Sequence, residues 1–193
     1  MAKLYFKYGA MGSSKTAQAL ITKFNYEERG MKVWLIKPAT DTRDGENTIQ
    51  SRIGLSSPSL AIDKGVDIFE LYTNEYMDTD VVICDESQFF TAQQIDQLRK
   101  IVDEYNRPVL CFGLRTDFMT HLFPGSHRLF EVADSISEIK TICDCGAKAT
   151  VNARIDANGR IIRSGRQVLL GGNERYTAMC HKCYRRKIEE DKE

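Results

Sequence analysis

The stretch YFKYGAMGSSKTAQAL, residues 5–20, decides the fold of this chain. An apolar run ends in a glycine loop, Lys15 and Thr16 follow, and a helical pattern begins at once. A loop of this kind, placed between a buried strand and a helix, directs backbone N–H groups and the positive end of the helix dipole toward phosphate. Its usual spelling is G-x-x-x-x-G-K-[ST], and Ser14 occupies the position of the second glycine.

We predict that residues 9–16 form a phosphate-binding loop, in which Lys15 contacts the β- and γ-phosphate oxygens and the Thr16 hydroxyl binds Mg²⁺. The alternative is a glycine-containing strand-to-helix turn that carries an exposed lysine. Serine in a left-handed conformation costs roughly 1–2 kcal/mol, so Ser14 leaves an impaired site open. The predicted loop consists of Gly9, Ala10, Met11, Gly12, Ser13, Ser14, Lys15 and Thr16.

Two adjacent acids form the second predicted element of the site. In VVICDESQF, residues 81–89, Asp85 and Glu86 follow a short apolar run that predicts a buried strand. A carboxylate at such a strand end binds Mg²⁺ in P-loop enzymes, which makes Asp85 the candidate ligand. Glu86 is then available to take a proton from a hydroxyl or a water. The alternative is a pair of solvated acids.

The apolar patterns predict an α/β fold. Strands are expected over 3–8, 32–37, 81–84, 108–113 and 137–143. Helices are expected over 16–29, 66–72 and 91–105, with Thr91 as a cap, and a long mobile loop over 41–60. Strands that alternate with helices at this spacing favour a parallel sheet that is covered on both faces.

The composition changes after residue 142, where paired cysteines begin. We predict a nucleotide-binding domain over 1–142 and a small metal-binding domain over 143–193, with two strands around a turn in 153–162 and a loop over 164–176. Four cysteines in two close pairs are typical of a tetrahedral structural Zn²⁺ site; four free thiols are the alternative. The proposed ligands are Cys143, Cys145, Cys180 and Cys183.

The bulk composition argues against two classes of protein. Lysine plus arginine and aspartate plus glutamate both number 27, so the formal net charge is zero, whereas a nucleic-acid-binding surface usually shows a basic excess. No apolar run approaches the roughly 20 residues of a membrane helix, and the N-terminus lacks the pattern of a secretory signal. We therefore expect a cytoplasmic protein without membrane or nucleic-acid partners.

Motifs spread over residues 3–184 resemble, in register, the zinc-containing cytosolic (type II) thymidine kinase family. The resemblance implies a RecA-like P-loop domain with a small zinc-stapled β domain that carries a lasso loop. It also implies Mg²⁺ and ATP-dependent phosphorylation of the 5′-hydroxyl of thymidine, with deoxyuridine as a second substrate, a homotetramer, and feedback inhibition by thymidine triphosphate. The motifs are MAKLYFKYGAMGSSKT, KPATDTRDGENTIQSRIGLSSPS, DESQFF, CFGLRTDF, LFPGS, EIKTICDCGAKA and LLGGNERY.

The resemblance also assigns roles to individual residues. Glu86 matches the base that deprotonates the 5′-hydroxyl. The residues expected near ATP, besides the loop itself, are Asp41, Arg43, Asp85, Glu86, Ser87 and Gln88. The residues expected around the nucleoside are Met11, Gln88, Phe89, Leu114, Phe118, Phe123, Leu169, Leu170, Gly171 and Tyr176. For Tyr176 and the phenylalanines, plain core packing is the alternative.

Two other functions remain open at the level of sequence. A RecA-like, nucleic-acid-dependent ATPase has the same loop and the same pair of acids, and DNA-stimulated ATP hydrolysis without a nucleoside would favour it. The second is a regulatory protein that binds nucleotide without catalysis, and only Ser14 supports this function.

Overall fold

A computed structural model of the protein describes residues 1–42, 45, 47–167 and 175–190. Its strands are β1 (Leu4–Tyr8), β2 (Val33–Pro38), β3 (Thr48–Gln50), β4 (Ser56–Pro58), β5 (Leu60–Ile62), β6 (Val81–Cys84), β7 (Val109–Gly113), β8 (Ser135–Glu138), β9 (Val151–Arg154) and β10 (Tyr176–Met179). Its helices are α1 (Lys15–Glu27), α2 (Ile68–Leu71), α3 (Ala92–Tyr105), α4 (Pro124–Val132) and α5 (His181–Glu190). A π-helical turn (Tyr72–Tyr76) extends α2, and a 3₁₀ turn (Ser87–Phe89) follows β6.

Six strands form one parallel sheet in the order β5-β2-β6-β7-β1-β8. The sheet confirms the predicted α/β fold class. Because the strands run the same way, β1, β6 and β7 all end at one edge, which is where open α/β sheets bind ligands. The ladder between β1 and β7 ends at the pair Tyr8 and Gly113, and the Gly9 N–H continues it to the Gly113 carbonyl at 3.2 Å.

Helices cover both faces of the sheet because successive strand side chains point to opposite sides. In β6, Val82 and Cys84 belong to the core under α2, α3 and α4, whereas Val81 and Ile83 belong to the core under α1. All four are fully buried. Strands that are apolar on both faces are typical of parallel sheets, and this explains why the run VVIC shows no alternation.

Local signals in the sequence account for the ends of the main helices. The Thr91 hydroxyl accepts a hydrogen bond from the Gln94 N–H at 3.1 Å, and the Gln94 side chain accepts one from the Thr91 N–H at 3.2 Å. This reciprocal capping box starts α3 as predicted. After α1, Gly30 adopts a φ of 75°, a left-handed conformation that ends the helix as predicted.

The region predicted as one long loop, 41–60, is partly regular, and that prediction was wrong in this respect. Strands β3 and β4 pair antiparallel, with Ile49 opposite Ser57. The next run, Leu60–Ile62, adds an edge strand to the main sheet beside β2. Three-residue strands carry too little alternation to be recognised, since turn formers surround them on both sides.

Two further elements differ from the sequence-based expectations. The strand expected over 137–143 begins and ends earlier, at Ser135–Glu138 (β8). Its bounds are set by the pairing with Tyr5–Tyr8 of β1. Helix α4, which starts at Pro124, was not predicted. The turn predicted within 153–162 is confirmed, since Asp156 Oδ1 accepts the N–H groups of Asn158 and Arg160 at 2.8 and 2.9 Å. Of the two strands predicted around it, only β9 forms, and the second is reduced to an isolated bridge between Ile155 and Ile161.

A third core lies in the C-terminal part of the chain. Val151 and Ala153 of β9, Met179 of β10 and Tyr184 of α5 pack there with cysteines. Strands β9 and β10 pair antiparallel, with Arg154 opposite Tyr176. The domain boundary at 142/143 stays a prediction. Among the described residues, no helix has both the length and the apolar character to cross a bilayer.

We predict that Gly125→Ala lowers the free energy of unfolding by roughly 1–3 kcal/mol, as overpacking does. A Cβ at position 125 would lie 2.5 Å from the Ser87 carbonyl oxygen and 2.7 Å from that of Phe90. Helix α4 would have to move away from the turn that follows β6. Urea denaturation followed by circular dichroism measures the change.

Gly65→Ala is the matched control, since nothing lies within 4 Å of a Cβ at position 65. Its unfolding midpoint should equal or exceed that of the wild type. An unchanged midpoint in Gly125→Ala would contradict the close packing of α4 on the turn.

Candidate active site

The phosphate loop lies between β1 and α1, at the edge where the parallel strands end. Lys15, the first residue of α1, is buried, and its Nζ donates to the Ala10 carbonyl at 2.9 Å and to Ser13 Oγ at 3.3 Å. The Ser13 N–H donates to the same Ala10 carbonyl at 3.2 Å. The lysine therefore holds the loop closed around itself and brings a positive charge to the start of the helix.

Two glycines of the loop are required for different physical reasons. A Cβ at Gly9 would lie 2.3 Å from Ser13 Oγ and 2.5 Å from the Ile139 carbonyl oxygen, so the backbone there has no room for a side chain. Gly12 has space around it but a φ of 74°, which other residues adopt only at a cost.

Ser14 occupies a left-handed conformation, with φ 61° and ψ 27°. It is the N-cap of α1, and its side chain makes no capping hydrogen bond. Ser14 therefore adopts the left-handed conformation considered in the sequence analysis, which costs a serine roughly 1–2 kcal/mol. The loop nevertheless continues into α1, because the Gln18 N–H donates to the Ser14 carbonyl at 3.0 Å.

Asp85 lies at the end of β6, next to the phosphate loop. Burial raises the pKa of its carboxyl to about 7, and the charge of Glu86 adds to the increase. The Thr16 hydroxyl, which donates a hydrogen bond to Asp85, and the Lys15 charge both oppose it. Lys15 and Thr16, which follow β1, therefore lie next to Asp85, which follows β6, although β7 separates these two strands in the sheet. Hydroxyl and carboxylate oxygens are the donors that Mg²⁺ prefers, so Thr16 and Asp85 fit this ion.

Glu86 has a left-handed backbone as well, with a φ of 48°. Gln88, which is fully buried, donates from Nε2 to Glu86 Oε2 at 2.5 Å and accepts the Leu114 N–H on Oε1 at 2.9 Å. Ser87 Oγ donates to the Phe112 carbonyl at 2.9 Å. The two residues that follow Glu86 are therefore fixed to the end of β7, and an amide orients the carboxylate.

The residues expected around the nucleoside fall into two aromatic groups. Phe89 and Phe123 meet edge to face, with ring centroids 5.5 Å apart. Phe118 and Tyr176 both contact Arg154, whose guanidinium carbon lies 3.6 and 5.1 Å from their ring centroids. Leu114 is joined to Glu86 through Gln88, as described above. Arg43, Leu169, Leu170 and Gly171 lie outside the described residues.

Two polar residues that the sequence reasoning did not select connect the site to its surroundings. Asn152, 3% exposed, accepts the Met11 N–H on Oδ1 at 2.8 Å and donates to the Thr116 carbonyl at 2.9 Å. Lys37, fully buried in β2, donates to the carbonyls of Gly45 and Thr48 at 2.7 and 2.9 Å. Lys37 thereby fixes Gly45 and Thr48, and Asp41, expected near ATP, is buried. A lysine at the end of the apolar run 32–37 is the signal that would have found Lys37, whereas Asn152 lies outside every predicted strand.

The four predicted zinc ligands, Cys143, Cys145, Cys180 and Cys183, converge. Their Sγ atoms all lie within 4.8 Å of one another, and those of Cys145 and Cys180 are 3.6 Å apart. Tetrahedral coordination with Zn–S bonds of about 2.3 Å requires sulfur separations of about 3.8 Å. Hydrogen bonds from the backbone N–H groups of Cys145 and Cys180 lower the pKa of Cys143 to about 7, which favours the thiolate. The donor set fits a closed structural zinc site.

Comparison with known proteins decides the family. The family model described as Thymidine kinase matches residues 2–184. The chain belongs to the thymidine kinase family. Proteins described as Thymidine kinase from Yersinia pseudotuberculosis, Zymomonas mobilis and Coxiella burnetii are 44%, 43% and 46% identical to it. The alignments cover 98%, 97% and 96% of this chain and 97%, 98% and 96% of those proteins, respectively.

Family membership confirms the resemblance drawn from the sequence motifs, and it extends over almost the same residues. It also places the loop with Ser14 in a chain that matches thymidine kinases over nearly its whole length. The individual roles of the site residues remain predictions, for which the geometry supplies the arguments.

We predict that Ser14→Gly raises the free energy of unfolding by about 1 kcal/mol, since glycine removes the left-handed penalty but adds freedom to the unfolded chain. The affinity for ATP should hold or improve. Chemical denaturation and isothermal calorimetry measure the two quantities.

Ser13→Gly is the matched control, because the φ of Ser13 is not positive and its hydroxyl contacts Lys15. This variant should be less stable than the wild type. If Ser14→Gly were destabilised to the same extent, the left-handed penalty at position 14 would be refuted.

We further predict that Cys145→Ser lowers the zinc content below one ion per chain, since it removes one of four converging sulfurs. The melting temperature should fall, because a structural zinc site contributes folding energy. Inductively coupled plasma mass spectrometry and calorimetry provide the measurements.

Cys111→Ala, in the core of the main sheet, should keep one zinc per chain although it also loses stability. Full zinc content in Cys145→Ser, or none in the wild-type protein, would rule out the four-sulfur site.

Proposed function

We propose that this protein transfers the γ-phosphoryl group of ATP to the 5′-hydroxyl of thymidine, and of deoxyuridine, for nucleotide salvage. One observation carries the proposal: Lys15, Thr16, Asp85 and Glu86 meet at one edge of a parallel sheet, in a chain of the thymidine kinase family. The relatives named above, each described as Thymidine kinase, support the choice of nucleoside.

The phosphate loop binds and orients the donor. The backbone N–H groups at the start of α1 and the Lys15 ammonium would bind the phosphates, and Thr16 and Asp85 would hold Mg²⁺ through their oxygens. When it is bound, Mg²⁺ neutralises charge on the phosphate oxygens. Asp85 is ionised in that role, since a nearby cation offsets the burial that raises the pKa of its carboxyl.

Glu86 takes the proton from the 5′-hydroxyl as that oxygen attacks the γ-phosphorus. Gln88 holds one carboxylate oxygen of Glu86 and, through its other end, the Leu114 N–H. The base is therefore fixed relative to the end of β7. Phosphoryl transfer depends mainly on positioning and charge, so a rigid base at this edge suits the reaction.

The aromatic residues supply the nucleoside pocket. Flat rings bind a pyrimidine by stacking and exclude water, which would otherwise accept the phosphoryl group. Phe118 and Phe123 are almost fully buried and are assigned to the wall, whereas Tyr176 is partly exposed and is assigned a place against the nucleoside. The remaining members of the proposed pocket are Met11, Gln88, Phe89 and Leu114, together with the residues at 169–171 that lie outside the described part of the chain.

The wider expectations belong to the same proposal. They are ATP as phosphate donor, a structural zinc ion, a homotetramer in the cytoplasm, thymidine triphosphate as feedback inhibitor, and no membrane or nucleic-acid partner. The zero net charge of the chain supports the last of these. The four-cysteine cluster supports the zinc ion.

We predict that Glu86→Gln lowers turnover with ATP and thymidine by at least about a hundredfold, as loss of a general base does. Glutamine keeps the size of the side chain and an oxygen for the Gln88 amide, so ATP binding should persist. A coupled assay of ADP formation with thymidine measures turnover, and calorimetry measures ATP binding.

Glu75→Gln, on the exposed π-helical turn, is the matched control and should retain wild-type turnover. Full activity in Glu86→Gln would overturn the assignment of the base. ATP hydrolysis that DNA stimulates in the absence of any nucleoside would instead support the nucleic-acid-dependent ATPase.

A further inference from the structure

Arg154 is a buried cation on the face of β9 opposite Val151 and Ala153. It ends β9, is 1% exposed, and leads the largest fully buried side chains of the described residues. Arginine is rarely buried completely, because a charge loses its hydration there unless other groups replace the water. The partners of Arg154 therefore indicate what the side chain does.

The guanidinium edge of Arg154 donates to neutral oxygens. Nε and Nη2 both donate to the Tyr176 hydroxyl, at 2.9 and 2.5 Å. Nη1 donates to the Arg166 carbonyl at 2.9 Å, and Nη2 donates to the Gln167 carbonyl at 3.2 Å. The strand register supports the first contact, since Arg154 and Tyr176 are paired across β9 and β10.

The guanidinium face of Arg154 covers the ring of Phe118, at 3.6 Å from the centroid. This ring comes from the connection between β7 and α4, so it reaches Arg154 from the main sheet. A planar cation over an aromatic face is attractive, and more so when water is excluded. One side chain thus contacts Phe118 with its face and Tyr176 with its edge.

The carboxylate of Asp117 belongs to the same network and fixes the loop that carries Phe118. Asp117 Oδ2 accepts the Gln167 side-chain amide at 2.9 Å, and its Oδ1 accepts the N–H groups of Met119 and His121 at 2.8 and 3.0 Å. Asp117 is joined to Arg154 through Gln167, whose carbonyl Arg154 binds. The negative charge thereby fixes the loop that carries Phe118, while the positive charge fixes the rings.

We propose that Arg154 is a positioning residue for the nucleoside, which sets the orientation of Phe118 and Tyr176 before the substrate binds. This inference rests on the proposed function, in which both rings line the nucleoside pocket. Only arginine combines a planar face with a fork of donors, so lysine is not equivalent at this position. If the rings are oriented before binding, less conformational entropy is lost when the substrate binds, and its affinity is higher.

The test compares Arg154→Lys with the wild type in steady-state kinetics for both substrates. The KM for thymidine should rise by about tenfold, the loss expected for charge-assisted hydrogen bonds. The KM for ATP should stay within about twofold, since Lys15, Thr16 and Asp85 are untouched. Arg160→Lys, an exposed arginine in the neighbouring turn, is the control and should match the wild type in both constants.

Tyr176→Phe is the second variant, in case Arg154→Lys does not fold. It keeps the ring and removes the hydroxyl that receives two N–H groups of Arg154, so the KM for thymidine should rise by roughly fivefold. In the double variant, the two increases should be less than multiplicative, because both changes break the same contact.

The outcomes separate this inference from the proposed function. Wild-type protein without thymidine phosphorylation would reject both. Normal wild-type turnover, with the KM for thymidine unchanged in a folded Arg154→Lys or in Tyr176→Phe, would reject the positioning role alone. Equal increases in the two KM values together with a lower melting temperature would show a purely structural arginine and also overturn the inference.

Discussion

The parallel ladder between β1 and β7 is the constraint on which the site depends. It ends at Tyr8 and Gly113, and the Gly9 N–H extends it by one bond into the phosphate loop. The acids that follow β6 reach the same edge because β6 lies on the other side of β7. Gly113 has no room for a side chain, since a Cβ there would lie 2.7 Å from Ser87 Oγ. The close approach of three strand ends therefore brings a lysine, a threonine and two carboxylates together.

Two residues at this edge have backbone conformations that favour glycine. Ser14 and Glu86 both have a positive φ, one at the start of α1 and the other directly after Asp85. Such conformations persist only where the surroundings impose them, and they concentrate at functional sites. At Glu86 the next two residues impose the conformation, since Ser87 binds the Phe112 carbonyl and Gln88 binds the Leu114 N–H, on either side of Gly113. At Ser14 the helix itself holds the residue, through the Gln18 N–H.

The sequence was sufficient for the parts of the structure that depend on local pattern. The strands around Phe6, Ile83 and Leu110 and the helix cap at Thr91 were predicted within about two residues, and the four cysteines converge as expected. The short strands β3, β4 and β5 were not predicted, because three residues carry no recognisable period. The roles of Asn152 and Arg154 also escaped prediction, since they arise from contacts with loops more than ten residues away that no local pattern reveals.

The hydrogen bond between Met11 and Asn152 has a consequence for how the loop meets an anion. The Met11 N–H is directed to an amide oxygen of β9, and the Ser13 N–H to the Ala10 carbonyl, so neither faces outward. In the proposed function, the polyphosphate therefore meets the amides at the first turn of α1 and the Lys15 ammonium rather than these two N–H groups. The part of the chain that carries the four cysteines thus determines, through Asn152 of β9, which backbone donors the loop after β1 presents.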